Sequence, residues 1–189
     1  MDRIDEILSY IDVEFEKILL DNQKKIEDMF IKNRTDIESN FYKLIKILIN
    51  SKSELNDDIY IIISPLNSSI ITKKYQLILI ACNEELYLDN NSIYNYFSIN
   101  YLFEYINIDI EHIKKEINKK YTRLTEFELQ EITFKYSKKY MNLYSYYIKQ
   151  ILNSLINQQI LTPLDHKITF LYGDFMEKLD IVCELKEHI

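Results

Sequence analysis

Apolar residues recur three and four positions apart along the first fifty residues, which is the spacing of one helical face. Polar residues interrupt the pattern near residues 33–36, where Thr35 and Glu38 have the spacing of a capping box. The pattern therefore predicts a helical pair over residues 1–53, with a break near Thr35. Its apolar positions are Ile4, Ile7, Leu8, Ile11, Phe15, Ile18, Leu19, Ile26, Met29, Phe30, Ile37, Phe41, Leu44, Ile45 and Leu48.

The pattern changes to a β-type one after residue 58. Residues 59–64 are rich in β-branched side chains and are followed by Pro65, which is typical of a strand. Residues 69–72 and 75–82 predict two further strands, and residues 85–88 a short continuation after a turn. Because residues 77–81 are apolar on both faces, we expect that strand to be covered by helices on at least one side. Together these segments predict a β-meander over residues 59–88.

Helical signals return over residues 91–161. Residues 90–92 offer capping side chains for a helix over residues 93–106, and Asp109 offers one for a helix over residues 110–121. Further on, Thr125 and Glu128 repeat the capping-box spacing and predict a long helix over residues 126–161. Its apolar arc is wide enough to predict burial on more than one side. That arc consists of Leu129, Ile132, Tyr136, Tyr140, Leu143, Tyr147, Ile151 and Leu155.

The last segment, residues 166–189, predicts β-structure. Residues 167–172 alternate as a strand does, Gly173 and Asp174 form a turn signal, and residues 179–185 alternate again, although helical spacing also fits Phe175, Leu179 and Val182. The predicted fold is therefore α+β and mostly helical, with long N-terminal and central helices packed on a small antiparallel β-sheet. We expect residues 1–189 to form a single domain, because no linker divides them.

Composition then excludes several classes of site. The chain has one glycine in 189 residues, whereas a P-loop, a dinucleotide fingerprint, a kinase glycine loop and a GxSxG elbow each need two or more at fixed spacing. Abundant Ile, Asn, Lys and Tyr are typical of the codons of an AT-rich genome. The first residues lack a signal-peptide pattern and no apolar run approaches the roughly 20 residues of a membrane span, so we expect a cytoplasmic protein without a membrane partner.

Charge is unevenly distributed along this acidic chain of net charge −7. Residues 114–149 hold 9 bases against 4 acids, and six residues on one side of the long predicted helix form what we call the lysine face. This face offers lysines to phosphates and a tyrosine to a base, and it also fits an acidic protein partner. A purely solvated helix face is the favoured interpretation, because four lysines contribute little affinity and the rest of the chain is acidic. Its members are Lys135, Lys138, Lys139, Asn142, Tyr146 and Lys149.

Candidate catalytic and metal-binding groups are few. His112 and Glu116 lie four residues apart on a predicted helix, but a catalytic zinc needs three protein ligands and no supporting spacing supplies the third. The Asp165–His166 pair has no neighbouring nucleophile in the sequence. Cys82 and Cys183 fall in predicted strands, where burial favours unreactive thiols. We expect no metal, no cofactor and no catalytic residue.

Three functions remain after these exclusions. The favoured one is a non-catalytic intracellular interaction protein, such as a regulator, an inhibitor or a chaperone-like protein, that binds a protein partner through helical surfaces. That partner includes a second copy of the chain, because a long amphipathic helix also suits a homodimer. The alternatives are a nucleic-acid-associated protein that uses the lysine face and a small hydrolase built around His112, Glu116 or the Asp165–His166 pair.

Overall fold

The computed structural model describes residues 3–52, 58–98, 104–161 and 167–186. Its helices are α1 (Arg3–Lys32), α2 (Arg34–Lys52), α3 (Asn67–Ile71), α4 (Glu104–Lys120) and α5 (Glu126–Asn157). Its strands are β1 (Ile59–Pro65), β2 (Gln76–Cys82), β3 (Ile93–Ser98), β4 (Ile168–Gly173) and β5 (Leu179–Leu185), with a 3₁₀ turn at Leu86–Leu88. None of the helices in these ranges combines the length and the apolar character needed to cross a membrane.

The strands form one sheet in the order β3-β2-β1-β4-β5. The β1–β2, β2–β3 and β4–β5 pairs are antiparallel, whereas β1 and β4 are parallel, with Ile61 opposite Phe170. The sheet is therefore mixed, and the expectation of a wholly antiparallel sheet is wrong. The physical reason is that α4 and α5 carry the chain back across the sheet, so that β4 enters beside β1 in the same direction. The α+β class itself is confirmed, while the single-domain prediction stays a prediction.

The helices lie on one face of this sheet, where α2 and α5 contact the strands and α1 and α4 pack against α5. Alternate strand residues on that face, such as Ile61, Leu79 and Phe170, are 0% exposed and share one cluster with the helices. The opposite face has a smaller cluster, which is built on Ile62 and Ile80 and is bordered by the 3₁₀ turn. The interior strands β1 and β2 are thus apolar on two sides, and for β2 the sequence of residues 77–81 predicts this.

The long helix α5 begins where the capping box predicts. The Thr125 hydroxyl accepts the Glu128 N–H at 3.2 Å, and the Glu128 carboxylate accepts the Thr125 N–H at 2.7 Å. The helix ends at Asn157, four residues before the predicted end. Six residues of its predicted apolar arc are 6% exposed or less, which confirms that α5 is buried on a broad face. They are Ile132, Tyr136, Tyr140, Tyr147, Ile151 and Leu155.

The N-terminal helical pair forms, but the break does not use the predicted capping box. The turn residue is Asn33, whose side-chain Nδ2 donates to the Met29 carbonyl at 2.7 Å, and α2 begins at the next residue. Because α2 begins at Arg34, Thr35 lies inside the helix, and Glu38 forms an ion pair with Arg34 at 2.7 Å. Glu38 pairs with Arg34 rather than capping the helix at Thr35, because a cation four residues away offers a charge-assisted hydrogen bond.

Three segments have a secondary structure that differs from the one predicted. Residues 69–72 belong to α3 and its C-cap, and residues 86–88 form the 3₁₀ turn, so neither is a strand. Conversely, β3 occupies Ile93–Ser98, where we expect a helix, and it pairs with β2. The β-branched and aromatic side chains of β3 fit a pleated surface better than a helix. The later strands β4 and β5 confirm the β prediction for the C-terminal segment.

The one glycine serves close packing rather than a left-handed turn. A Cβ added at Gly173 would lie 2.2 Å from the Lys178 carbonyl oxygen, so a side chain there would collide with the β4–β5 hairpin. Left-handed backbone is instead adopted by bulky residues. Those in the described ranges are Lys73, Tyr75, Leu86, Arg123, Gln159 and Met176.

Candidate interaction surface

The lysine face is divided by the elements on either side of α5. On one side, Lys135 reaches Asp12 of α1 at 3.0 Å, and Lys139 forms a second ion pair with the same carboxylate. Burial opposes the charged form of Asp12, but the two ammonium groups hold the pKa of its carboxyl below the ordinary value. These two lysines therefore bind α5 to α1 within the molecule.

The other members of the face lie in two different settings. Lys138 reaches Asp174 in the β4–β5 turn at 2.9 Å, so a third lysine is also paired. Asn142 and Lys149 are exposed, and Tyr146 is exposed with its ring edge-on to Tyr147 at 5.5 Å between centroids. The members of the lysine face that remain open to a ligand are Asn142, Tyr146 and Lys149. That they bind one stays a prediction.

The metal and catalytic candidates are not assembled into a site within the described ranges. His112 and Glu116 line a cavity of about 10 Å³ between α1 and α4, which is about the space of one water molecule. Glu116 forms an ion pair with Lys119 at 2.6 Å. The described residues contain no group of three or more His, Cys, Asp or Glu that could hold a metal ion. Asp165 and His166 lie outside the described residues.

Both cysteines are free thiols. Burial raises the pKa of the Cys82 thiol to about 12 and that of Cys183 to about 11. Near neutral pH each is therefore protonated and a poor nucleophile. This agrees with the packing role expected from the sequence.

A buried polar cluster joins three helices and was missed by the sequence analysis. Asp109 is 6% exposed and lies within α4, so its predicted role as a helix cap is wrong. Its carboxylate accepts hydrogen bonds from Asn22 of α1 at 3.0 and 3.1 Å, from Tyr136 of α5 at 2.9 Å and from Tyr140. These donors satisfy the oxygens of the buried carboxyl group. The only sequence signal is two tyrosines four residues apart on an otherwise apolar helix face.

A second buried charge connects α2 to the turn before β3. The side chains of Lys52 and Asp89 are each 3% exposed and form an ion pair, and Asp89 also accepts the N–H groups of Asn83 and Asn91 at 2.9 and 2.8 Å. Burial opposes the charged form of Asp89, but Lys52 and the two N–H donors hold the pKa of its carboxyl below the ordinary value. The pair is thus a structural tie between two elements.

The helical layer contains a groove of about 670 Å³ that is lined by α3, α4 and α5. On α5 the lining residues follow helical spacing, with Leu129 and Phe134 as its apolar members. Ile70 of α3 is buried beneath them, while the neighbouring Ile71 is 81% exposed at the rim. Ile71, Leu129 and Phe134 line the same groove, so the exposed apolar surface here is grouped rather than single, as it is at contact surfaces.

Charges of opposite sign flank this groove. Lys73 and Lys114 line it from the sides of α3 and α4, and Glu126 and Glu131 line it from α5. Lys114 has an ion pair with Glu111 at 3.3 Å on its own helix. In the part of the chain that the structure describes, no ion pair involves Lys73, Glu126 or Glu131. The groove thus has one basic and one acidic border.

Comparison with known proteins leaves the function to be argued from this geometry. No family model, no curated protein and no solved structure matches the chain.

Proposed function

We propose that this chain is a non-catalytic interaction protein, of the regulator, inhibitor or chaperone-like kind, whose helical layer binds a segment of a partner protein. The observation that carries the proposal is the groove lined by α3, α4 and α5, with Ile71 81% exposed at its rim. Its volume of about 670 Å³ is sufficient for several apolar side chains.

The partner segment that fits this groove is an amphipathic helix. Apolar side chains at helical spacing would pack on Leu129, Phe134 and Ile71, which is the helix-in-groove mode of recognition. The two charged borders orient the segment in the groove, because an acidic edge of the segment complements Lys73 and Lys114. Its opposite, basic edge complements the carboxylates on α5.

Two observations favour binding of a protein over the alternative functions. The cavity that His112 and Glu116 share is about 10 Å³, which is far smaller than a substrate pocket. Lys135, Lys138 and Lys139 are engaged by carboxylates of the same molecule, which reduces their attraction for phosphates.

The test selects a displayed library of helical peptides on the wild-type chain and removes those that also bind the Ile71→Glu variant. We expect the remaining peptides to have apolar residues at i, i+3, i+4 and i+7 and an acidic edge. A synthetic peptide of that kind, measured by fluorescence anisotropy, should bind Ile71→Glu at least about tenfold more weakly, because the substitution places a charge against apolar surface.

Phe127→Glu is the matched control. Phe127 is 63% exposed on the first turn of α5 but does not line the groove. Its substitution should therefore leave the affinity unchanged. The proposal is wrong if no peptide distinguishes wild-type from Ile71→Glu, or if Phe127→Glu weakens binding as much.

A further inference from the structure

The two outer strands of the sheet differ sharply in charge. Among the described strands, β3 and β5 lie at opposite ends of the order. β5 contains Asp180 and Glu184 and has an irregular register opposite Phe170 and Leu171 of β4. Charges and bulges are the usual protection of an edge against pairing. β3, with the sequence IYNYFS, has neither a charged residue nor a proline.

The backbone hydrogen bonds show which groups of β3 point outward. The N–H of Tyr96 donates to the side chain of Asn95 at 2.8 Å instead of to β2. The Gln76 carbonyl accepts from Leu66, on the β1 side, and Gln76 is the register partner of Ser98. Because bonding alternates along an antiparallel pair, Tyr94, Tyr96 and Ser98 direct their backbone groups away from β2.

The side chains of this edge are also open. Tyr94 and Tyr96 are each 52% exposed, on the sheet face opposite the helices. Paired aromatic residues on neighbouring antiparallel strands stabilise a sheet. The edge therefore offers both a hydrogen-bonding row and aromatic contacts to an added strand.

Charge and symmetry together identify the added strand as one from a second copy. A two-fold interface brings each surface against itself, so a strand with charges of one sign repels its own copy. That disfavours β5, whose two charged residues are both acids held in ion pairs with lysines of the same molecule, and admits β3, which is neutral. Two copies of a chain of net charge −7 repel each other where their acidic surfaces meet. Contact through the neutral strand β3 brings no like charges together.

We infer that this chain forms a two-fold dimer in which the β3 strands of two copies pair antiparallel and the two sheets become continuous. A two-fold axis beside Asn95 places Tyr94 of one copy opposite Tyr96 of the second copy. Asn95 releases the Tyr96 N–H when the partner carbonyl replaces it. This surface is separate from the groove, so the inference does not depend on the proposed function.

The test measures the mass of the wild-type chain by sedimentation over a wide range of concentration and at two salt concentrations. We expect a monomer–dimer equilibrium that shifts toward dimer at high salt, because salt screens the repulsion between two acidic bodies. Tyr96→Lys should weaken the dimer roughly tenfold or more, since it places like charges near the axis. The control is Ile181→Lys on β5. Ile181 is 64% exposed, and its substitution should leave the dimer affinity unchanged.

Tyr96→Pro provides a second, independent variant. Proline removes an outward N–H that β2 does not use, and edge strands tolerate it. It should abolish the dimer while the circular dichroism spectrum stays that of the folded wild-type chain. A wild-type chain that is monomeric at every concentration overturns the inference, as does a dimer that Ile181→Lys disrupts as strongly as Tyr96→Lys.

Discussion

At the residue scale, the Lys52–Asp89 pair is a buried ion pair that joins α2 to the turn before β3. Both side chains are 3% exposed, so removing one partner leaves a buried charge without compensation. We expect Lys52→Met to lower the free energy of unfolding by about 3–5 kcal/mol. Urea unfolding at neutral pH measures this. The double variant Lys52→Met/Asp89→Asn should recover part of the loss, because no buried charge then remains.

The pH dependence of this effect follows from the direction of the pKa shift. The pKa of Asp89 is lower in the folded chain than in the unfolded chain, so the stability that its charged form contributes is present above about pH 3.9 and is lost as the pH falls through the folded pKa. The deficit of Lys52→Met should therefore shrink in acid, where Asp89 takes up a proton. A deficit that is equal at pH 3 and pH 7 would contradict the argument.

Single residues also show the limit of sequence reasoning. Asp109 before an apolar stretch is a reasonable helix cap, yet it lies inside α4 and accepts hydrogen bonds from α1 and α5. Its partners are 87 and 27 positions away in the sequence. Whether a carboxylate can be buried depends on such distant donors. Helical spacing does not predict which helices will meet at that position.

At the element scale, the scarcity of glycine explains several wrong assignments. Strand ends are usually recognised by Gly at left-handed positions, but here the left-handed residues include Lys73, Tyr75 and Leu86. Because the usual turn signals are missing, the local pattern predicts a strand where α3 forms and a helix where β3 forms. Long helices with polar and apolar faces, such as α5, are predicted well because their periodicity needs no turn residue.

The C-terminus of α5 allows a test of this backbone strain. Gln159 has φ of 56°, and the hydrogen bonds Ile160 N–H to Leu155 and Gln159 N–H to Ile156 form a Schellman motif, in which glycine is favoured at that position. We expect Gln159→Gly to raise the free energy of unfolding by about 1 kcal/mol. Thermal unfolding should show a midpoint higher by about 2–4 °C.

The adjacent Gln158 is the control for that variant. It caps α5 with φ of −81°, in the right-handed region where glycine has no steric advantage and adds freedom to the unfolded chain. Gln158→Gly should therefore lower the midpoint. If both glycine variants change stability in the same direction, the left-handed conformation of Gln159 is not the cause.

At the scale of the whole molecule, the sequence predicts the layers better than their connections. The α+β class, the N-terminal helical pair and the strands β1, β2, β4 and β5 follow from local patterns. The parallel pairing of β1 with β4 and the groove between α3, α4 and α5 depend on packing between elements far apart in the chain. Local periodicity determines which face of an element is buried, but not which element covers it.

The lysine face illustrates the same limit and leads to a prediction about nucleic acid. Seen on α5 alone it is a row of four lysines, whereas in the folded chain Asp12 engages two of them and Asp174 a third. Among the described residues Lys149 has no ion-pair partner. Binding of single-stranded DNA through four free lysines would give a slope of log K against log salt of about −3, at roughly 0.7 for each phosphate neutralised.

We expect the wild-type chain to bind a single-stranded oligonucleotide weakly through the lysine face, with a slope no steeper than about −1, because Lys149 is the one lysine of that face without an ion-pair partner among the described residues. Asp12→Asn removes the carboxylate that holds Lys135 and Lys139, so it should strengthen binding and steepen the slope by about one further unit. Asp28→Asn, which alters charge on the same helix by the same amount, controls for the general change in net charge. A wild-type slope near −3 that disappears in Lys135→Glu/Lys139→Glu would instead identify the lysine face as a nucleic-acid interface, since ion pairs within the protein would then have yielded to phosphates.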